Sequence, residues 1–181
     1  AVGAHQEHGG IVSASAYIWY PGGALRPYHR HLHLKVPPPE RQLRALLERN
    51  FVCAPTVAAR REMWTDALPV PHGLAFNDWY FSLMAARRTP FYFVDQVLAE
   101  YRVHGANHHA TVSKNRSEER SVLWLLDRIF SQVEADAGLD TAKRRARRGV
   151  YAAHYLDFAD KYFGFGMTAD AYHITSPAPE G

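Results

Sequence analysis

The pattern of apolar residues changes near His109, and this change constrains the fold more than any other feature of the sequence. Before it, short apolar segments are separated by Pro and Gly, which is typical of strands and short helices. After it, apolar residues recur at the spacing of two amphipathic helices: Val122, Leu125, Leu126, Ile129 and Val133, then Tyr151, Tyr155, Phe158 and Tyr162. Gly138 separates the two helices, so they should form an antiparallel hairpin. We therefore predict an α/β part over residues 1–110, and a helical hairpin with a loose tail over residues 111–181.

The composition limits the class of protein. A chain of 181 residues that is 47% hydrophobic and 13% aromatic can bury a core, and it does not resemble a disordered chain. No apolar run approaches the roughly 18 residues of a membrane span, and the first residues do not resemble a signal peptide. Cys53 is the single cysteine, so no internal disulfide can form. A reducing, cytoplasmic location is expected.

The first part of the chain is predicted to begin with two strands. These are Ile11–Tyr20 and Ala24–Val36, joined by a turn at Pro21-Gly22-Gly23. The second strand would carry three histidines on one face: His29, His31 and His33. Side chains two residues apart on a strand are roughly 7 Å apart, which is too far for all three to bind one ion. An exposed polar face is therefore the preferred interpretation, ahead of a metal site.

Helices and strands are expected to alternate after Pro37-Pro38-Pro39. The predicted elements are a helix at Glu40–Arg49, a strand at Phe51–Ala58, a helical turn at Arg60–Thr65, a loop at Asp66–Ala75 and a helix at Asn77–Arg88. Asn77 or Asp78 should cap the last helix. Phe91–Val94 and Val97–Val103 are predicted as two strands joined by a tight turn.

Two residues in this region are candidates for chemistry. Asp78, at the start of a helix and after a Gly-containing loop, is a candidate proton acceptor for an incoming hydroxyl, although most Asp residues at such positions only cap the helix. His104 follows a strand and precedes Gly105, which lets the backbone turn sharply. Its imidazole suits a transition metal, but one His is more often an ordinary surface residue, and carboxylates from elsewhere would have to complete a site.

The net charge of +3 comes largely from the basic cluster Lys143–Arg148. This cluster lies in a predicted helix with an apolar side, so a solvated helix face is the preferred interpretation. Docking on anionic lipid at the inner face of the membrane, or on nucleic acid, is the alternative. The sequence has no zinc-binding spacing, no Gly-rich phosphate loop and no nucleic-acid-binding aromatic motif, so no nucleic-acid partner is expected. Cys53 lies in an apolar segment and is predicted to be a core residue.

The order of motifs resembles the second half of a family 2 glycosyltransferase of the GT-A fold. The matching features are Asn50 to Arg61, a Gly loop, the helix start Asn77-Asp78-Trp79, the segment Tyr92 to Leu98, and Tyr101-Arg102-Val103-His104 with Asn107. The resemblance covers residues 10 to 110. It implies an incomplete GT-A-like mixed sheet with flanking helices, followed by the helical hairpin.

The resemblance also implies a reaction and roles for four residues. Asp78 would be the catalytic base that deprotonates a glycan or other hydroxyl acceptor, which then attacks a nucleotide-sugar donor with inversion. His104 would help to bind Mn²⁺ or Mg²⁺, which neutralises the departing diphosphate. Gly73 would lie in the loop near the acceptor, and Trp79 would pack beside the base.

The sequence departs from the family pattern in two respects. Asn77 replaces the Glu that usually precedes the catalytic Asp, and residues 1–50 contain no Asp, so a donor-side Asp-x-Asp is missing. The chain is therefore predicted to be the acceptor-side half of such an enzyme, with little transferase activity alone. The alternative is a degenerate, non-catalytic module that acts through protein contacts of its hairpin, Arg116 to Phe163.

Overall fold

The computed structural model describes residues 10–20, 22–104, 112 and 114–175. The protein is mixed α/β, with a small three-stranded mixed sheet and flanking helices. It divides into two compact units, Ala1–Asn107 and His108–Gly181. The predicted boundary after residue 110 falls among residues outside the described part of the chain. The sheet and the candidate site residues belong to the first unit, and the long helices belong to the second.

The sheet has the order β2-β1-β3, with β1 in the centre. Its strands are β1 (Ile11–Trp19), β2 (Leu25–Pro27) and β3 (Phe91–Arg102). β1 pairs antiparallel with β2 and parallel with β3. Consecutive residues of β1 from Ile11 to Ala16 are buried, so both faces of this strand are covered. Burial on both faces is typical of a strand with a parallel neighbour.

Helices flank the sheet in the first unit. They are α1 (Tyr28–His31), α2 (Gln42–Glu48), α3 (Arg61–Asp66) and α4 (Asn77–Ala86), with 3-10 turns at Pro39–Arg41 and Ala54–Thr56. The predicted helices at Glu40–Arg49 and Asn77–Arg88 are confirmed as α2 and α4. The Gln42 side chain joins α2 to the sheet, because its oxygen accepts from the Phe91 amide at 2.6 Å and its nitrogen donates to the Phe91 carbonyl at 2.9 Å.

The predicted hairpin at Tyr92 to Leu98 is wrong. β3 continues along β1 on both sides of the expected turn, with Val94 opposite Ala14 and Val97 opposite Ser15. Asp95 and Gln96 are therefore extra residues in a bulge. A bulge absorbs extra residues without reversing the chain, so both halves of β3 keep β1 as their partner.

The predicted second strand, Ala24–Val36, is also wrong beyond Pro27. The chain turns there into the one-turn helix α1, so the three histidines do not share a strand face. His29 is buried, and its ring nitrogens lie 3.1 Å from the Ser15 hydroxyl and 2.9 Å from the Phe51 carbonyl oxygen. Burial lowers the pKa of His29, which favours the neutral imidazole. His29 is therefore a core residue rather than part of an exposed polar face.

The predicted strand at Phe51–Ala58 is wrong, because Ala54–Thr56 form a 3-10 turn and, in this segment, only Ala58 forms a bridge with β1. Pro55 has no amide hydrogen and cannot take part in a regular strand ladder. The Thr56 hydroxyl, rather than a backbone group, forms the hydrogen bonds to β1 at this point. It accepts from the Ala14 amide at 2.9 Å and donates to the Ala14 carbonyl at 2.9 Å. Cys53 is buried, as predicted.

The second unit consists of α5 (Ser117–Ser131), α6 (Ala137–Gly164) and α7 (Thr168–Thr175). α5 and α6 lie antiparallel, but the prediction that Gly138 separates them is wrong, because residues 132–136 join the helices and Gly138 lies in the first turn of α6. Near its turn the Lys143 ammonium donates to the Ile129 carbonyl, and at the other end Lys161 pairs with Glu118 at 2.6 Å. Helix α7 was not predicted. No helix among the described residues is both long enough and apolar enough to cross a membrane.

The basic cluster is only partly the solvated face that the sequence predicts. Lys143 and Ala146 are buried, whereas the four arginines of the cluster are exposed: Arg144, Arg145, Arg147 and Arg148. Lys143 can be buried because its ammonium donates to three acceptors: the carbonyls of Ile129 and Gln132 at the C-terminal end of α5, and the carboxylate of Glu134. The spacing of charges along α6 does not reveal these partners, since they lie in another segment.

Candidate active site

Asp78 lies in the first turn of α4, and its side chain is exposed. The predicted capping role is wrong, because Phe76 is the N-cap residue and no side chain caps this helix. The Asn50 amide instead donates to a carboxylate oxygen of Asp78 at 3.3 Å. The positive end of the helix dipole favours a negative charge at this position. The Asp78 carboxylate is thus oriented by one neighbour and remains open to an incoming proton donor.

Tyr28 is a half-buried residue that interacts electrostatically with Asp78 and that the sequence did not single out. Its pKa is raised to about 12, first by burial and then by interactions with Cys53, Asp78 and Tyr101. The Tyr28 hydroxyl is therefore within electrostatic range of both Asp78 on α4 and Tyr101 near the end of β3. The sequence did not reveal this position of Tyr28. It predicts a strand that includes Tyr28, whereas β2 ends at Pro27.

A pocket of about 200 Å³ opens beside Asp78. Its polar lining residues all come from the first two turns of α4: Asn77, Asp78 and Ser82. The rest of the lining is apolar: Ala54, Val57, Trp64, Ala67, Leu68, Val70 and Phe81. The rings of Trp64 and Phe81 are stacked, with centroids 3.8 Å apart. Trp64 was not predicted as a site residue, and the sequence gives no signal for its pairing with Phe81.

Two of the predicted site residues lie close to Asp78 in the sequence and differ in role. Trp79 is buried, and its indole nitrogen donates to the Leu46 carbonyl at 2.7 Å, so it joins α4 to α2. Gly73 is exposed in the loop before α4 and has a φ of +83°. Residues other than Gly rarely adopt this left-handed backbone conformation. Trp79 therefore holds the helix that carries Asp78, and Gly73 allows the turn in the loop before that helix.

His104 lies two residues after β3, and its side chain is exposed. The end of β3 is held beside β1, because the Val103 amide donates to the Trp19 carbonyl at 2.8 Å and the Arg102 guanidinium lies over the Trp19 ring. His104 therefore follows the carboxyl ends of two parallel strands, where α/β proteins commonly bind ligands. Gly105 and Asn107, the other residues of the predicted loop, lie outside the described residues.

A divalent cation at His104 would need further ligands. Mn²⁺ and Mg²⁺ need several oxygen or nitrogen ligands. Within residues 10–20, 22–104, 112 and 114–175, no group of three or more His, Cys, Asp or Glu side chains could hold a metal ion. The described residues thus do not complete a metal site. The Mn²⁺ or Mg²⁺ that the resemblance implies stays a prediction.

No protein-family model, curated protein or solved structure matches this chain. The family 2 resemblance thus depends on the sequence motifs alone. The fold that the structure describes is the coarser one, a mixed sheet of three strands with flanking helices.

Proposed function

We propose that the first unit is the acceptor side of an inverting glycosyltransferase site, with Asp78 as the general base. The observation that carries the proposal is the position of the Asp78 carboxylate, which is exposed, oriented by Asn50 and next to a pocket. A base must reach the proton that it removes, and an exposed carboxylate beside a small-molecule pocket meets this requirement. The motif Asn77-Asp78-Trp79, which resembles that of family 2 glycosyltransferases, also supports the proposal.

In the proposed reaction Asp78 accepts the proton of an acceptor hydroxyl. The hydroxyl oxygen forms a bond to the anomeric carbon of a nucleotide-sugar from the face opposite the nucleotide. The bond between that carbon and the diphosphate oxygen breaks, and its electron pair leaves with the nucleoside diphosphate. One displacement of this kind inverts the anomeric carbon. Donor-binding groups are proposed to lie outside this sequence.

The proposal is tested with Asp78→Asn in a protein that joins this sequence to its donor-binding half. Asn cannot accept the proton, so transfer should fall by about 10²- to 10⁴-fold, the usual contribution of a general base. Asp95→Asn is the matched control, because Asp95 lies in the β3 bulge and does not line the pocket. It should keep near-normal transfer. Near-normal transfer by Asp78→Asn would exclude Asp78 as the base.

A second candidate function is a non-catalytic contact module. Four large hydrophobic side chains on the second unit are more than 60% exposed: Val133, Leu156, Phe163 and Tyr172. They are the groups that a protein contact surface on this unit would use. This function predicts partner binding that survives Asp78→Asn and is weakened by Phe163→Ser. Partner binding that depends on Asp78 would argue against it.

A further inference from the structure

The lining of the pocket beside Asp78 is mostly apolar. Its polar residues are Asn77, Asp78 and Ser82 of α4, and the Ser82 hydroxyl already donates to the Asp78 carbonyl at 2.9 Å. The other lining side chains are aliphatic or aromatic, and among them only the indole nitrogen of Trp64 can donate a hydrogen bond. A ligand in the pocket therefore meets few hydrogen-bonding side chains, and most of these belong to α4.

This mostly apolar lining disfavours a sugar ring in the pocket. A sugar carries hydroxyl groups around its whole edge, and each one buried against apolar side chains would lose its hydrogen bonds to water. Burying a hydroxyl without a partner costs about 1–3 kcal/mol on the scale of protein mutations. An alcohol with one hydroxyl and an apolar group avoids this cost. Its hydroxyl can face Asp78 while its apolar part contacts Trp64 and Leu68.

The size of the pocket also fits a single apolar group. A cavity of about 150 Å³ lined by apolar side chains takes up benzene, and this pocket measures about 200 Å³. Drug-sized ligands occupy larger sites, of about 300–1,000 Å³. The pocket can therefore enclose one substituted ring or a branched aliphatic group, with the remainder of a larger acceptor outside it.

We propose that this pocket binds the apolar group of an alcohol acceptor, an aryl or branched aliphatic alcohol whose hydroxyl lies at Asp78. The inference rests on the proposed function for the role of the hydroxyl. Binding of the apolar group depends only on the pocket and not on the proposed function. The acceptor class is thus an apolar alcohol rather than a carbohydrate.

The test is a titration of the whole chain with 2-phenylethanol, followed by ligand-observed NMR, with glycerol as the polar comparison. Saturable binding of 2-phenylethanol is expected, and glycerol should bind at least about tenfold more weakly, a difference of about 1.4 kcal/mol. Leu68→Asp puts a charge in the apolar lining and should weaken binding of 2-phenylethanol by about tenfold or more. Leu68 is 61% exposed, so this substitution should leave the unit folded.

Leu98→Asp is the matched control, since Leu98 is an exposed Leu of β3 that does not line the pocket. It should bind 2-phenylethanol like the unchanged chain, and Val70→Asp, at a second lining position, should reproduce the effect of Leu68→Asp. Equal binding by the Leu68 and Leu98 variants, equal binding of glycerol, or a lack of saturable binding would each overturn the inference. These measurements involve no donor and no turnover. Their failure is thus separate from that of the proposed function, which the transfer assay of Asp78→Asn decides.

Discussion

Lys143 and Glu134 form an ion pair that is almost fully excluded from water. The ammonium and a carboxylate oxygen are 2.5 Å apart, and the two side chains are 0% and 3% exposed. The same ammonium donates to the carbonyls of Ile129 and Gln132, where α5 ends. Lys143 of α6 thus provides the hydrogen-bond donor for two carbonyls at the end of α5 and for one carboxylate between the two helices. Although an intact buried pair does not by itself imply high stability, it makes the loss of one partner costly.

Lys143→Met should destabilise the second unit strongly. The substitution leaves the Glu134 carboxylate buried without its cation, and breaking a buried pair in this way costs about 3–5 kcal/mol. Urea unfolding followed by circular dichroism measures the loss. Arg145→Met is the control on the same helix, and it should change the free energy of unfolding by about 0.5 kcal/mol or less because Arg145 is exposed. Equal losses in the two variants would show that the buried pair is not responsible.

Stability should fall in mild acid partly because of His29. Burial lowers the pKa of this imidazole in the folded chain, so the unfolded chain binds more protons. The stability due to neutral His29 is therefore present above the unfolded-state pKa of about 6.5 and is lost as the pH falls below it. Unfolding of the unchanged chain and of His29→Gln between about pH 8 and pH 5 tests this. The variant should lose less free energy of unfolding over that range, and parallel curves would contradict the prediction.

Two glycine substitutions should have effects of opposite sign. Gly73 has a φ of +83°, where a side chain is strained, so Gly73→Ala should lower the free energy of unfolding by about 1–2 kcal/mol. Gly149 lies inside α6, and a Cβ there would meet open space. Gly149→Ala should therefore raise the free energy of unfolding by about 0.5–1 kcal/mol. Thermal unfolding of the two variants measures both changes, and a stabilising Gly73→Ala would contradict the assigned loop conformation.

The long helices were the easiest part of the fold to predict. Apolar residues at helical spacing run from Val122 to Ile129 and from Tyr151 to Tyr162, and a helix includes each stretch. Val133, which continues the first pattern, instead lies beyond α5 and is 69% exposed. β1 was also predicted, because β-branched and small residues run up to a clear turn. These elements are determined by residues close together in the sequence. Local pattern is sufficient for them.

The failures have long-range causes. Alternation of residue types predicted a strand through His29, but the partners of this side chain, Ser15 and Phe51, come from distant parts of the chain. The bulge at Asp95 and Gln96 was read as a turn, since their spacing does not reveal that both halves of β3 pair with β1.

The candidate site was predictable only at its centre. Asp78 stands out because of its motif, whereas Trp64 joins the lining of the same pocket, and Tyr28 comes within electrostatic range, only through the tertiary fold. No local pattern signals such neighbours. The pocket therefore became apparent only in the folded chain.

The bulge in β3 has a consequence for how copies of this protein behave in solution. β3 is one of the two edge strands of the described sheet, and a straight edge strand is a template to which a second chain can add its own strand. Asp95 and Gln96 interrupt the regular row of backbone donors and acceptors, and both residues are exposed. The same irregularity that makes the strand hard to predict thus makes this edge a poorer template for a second chain.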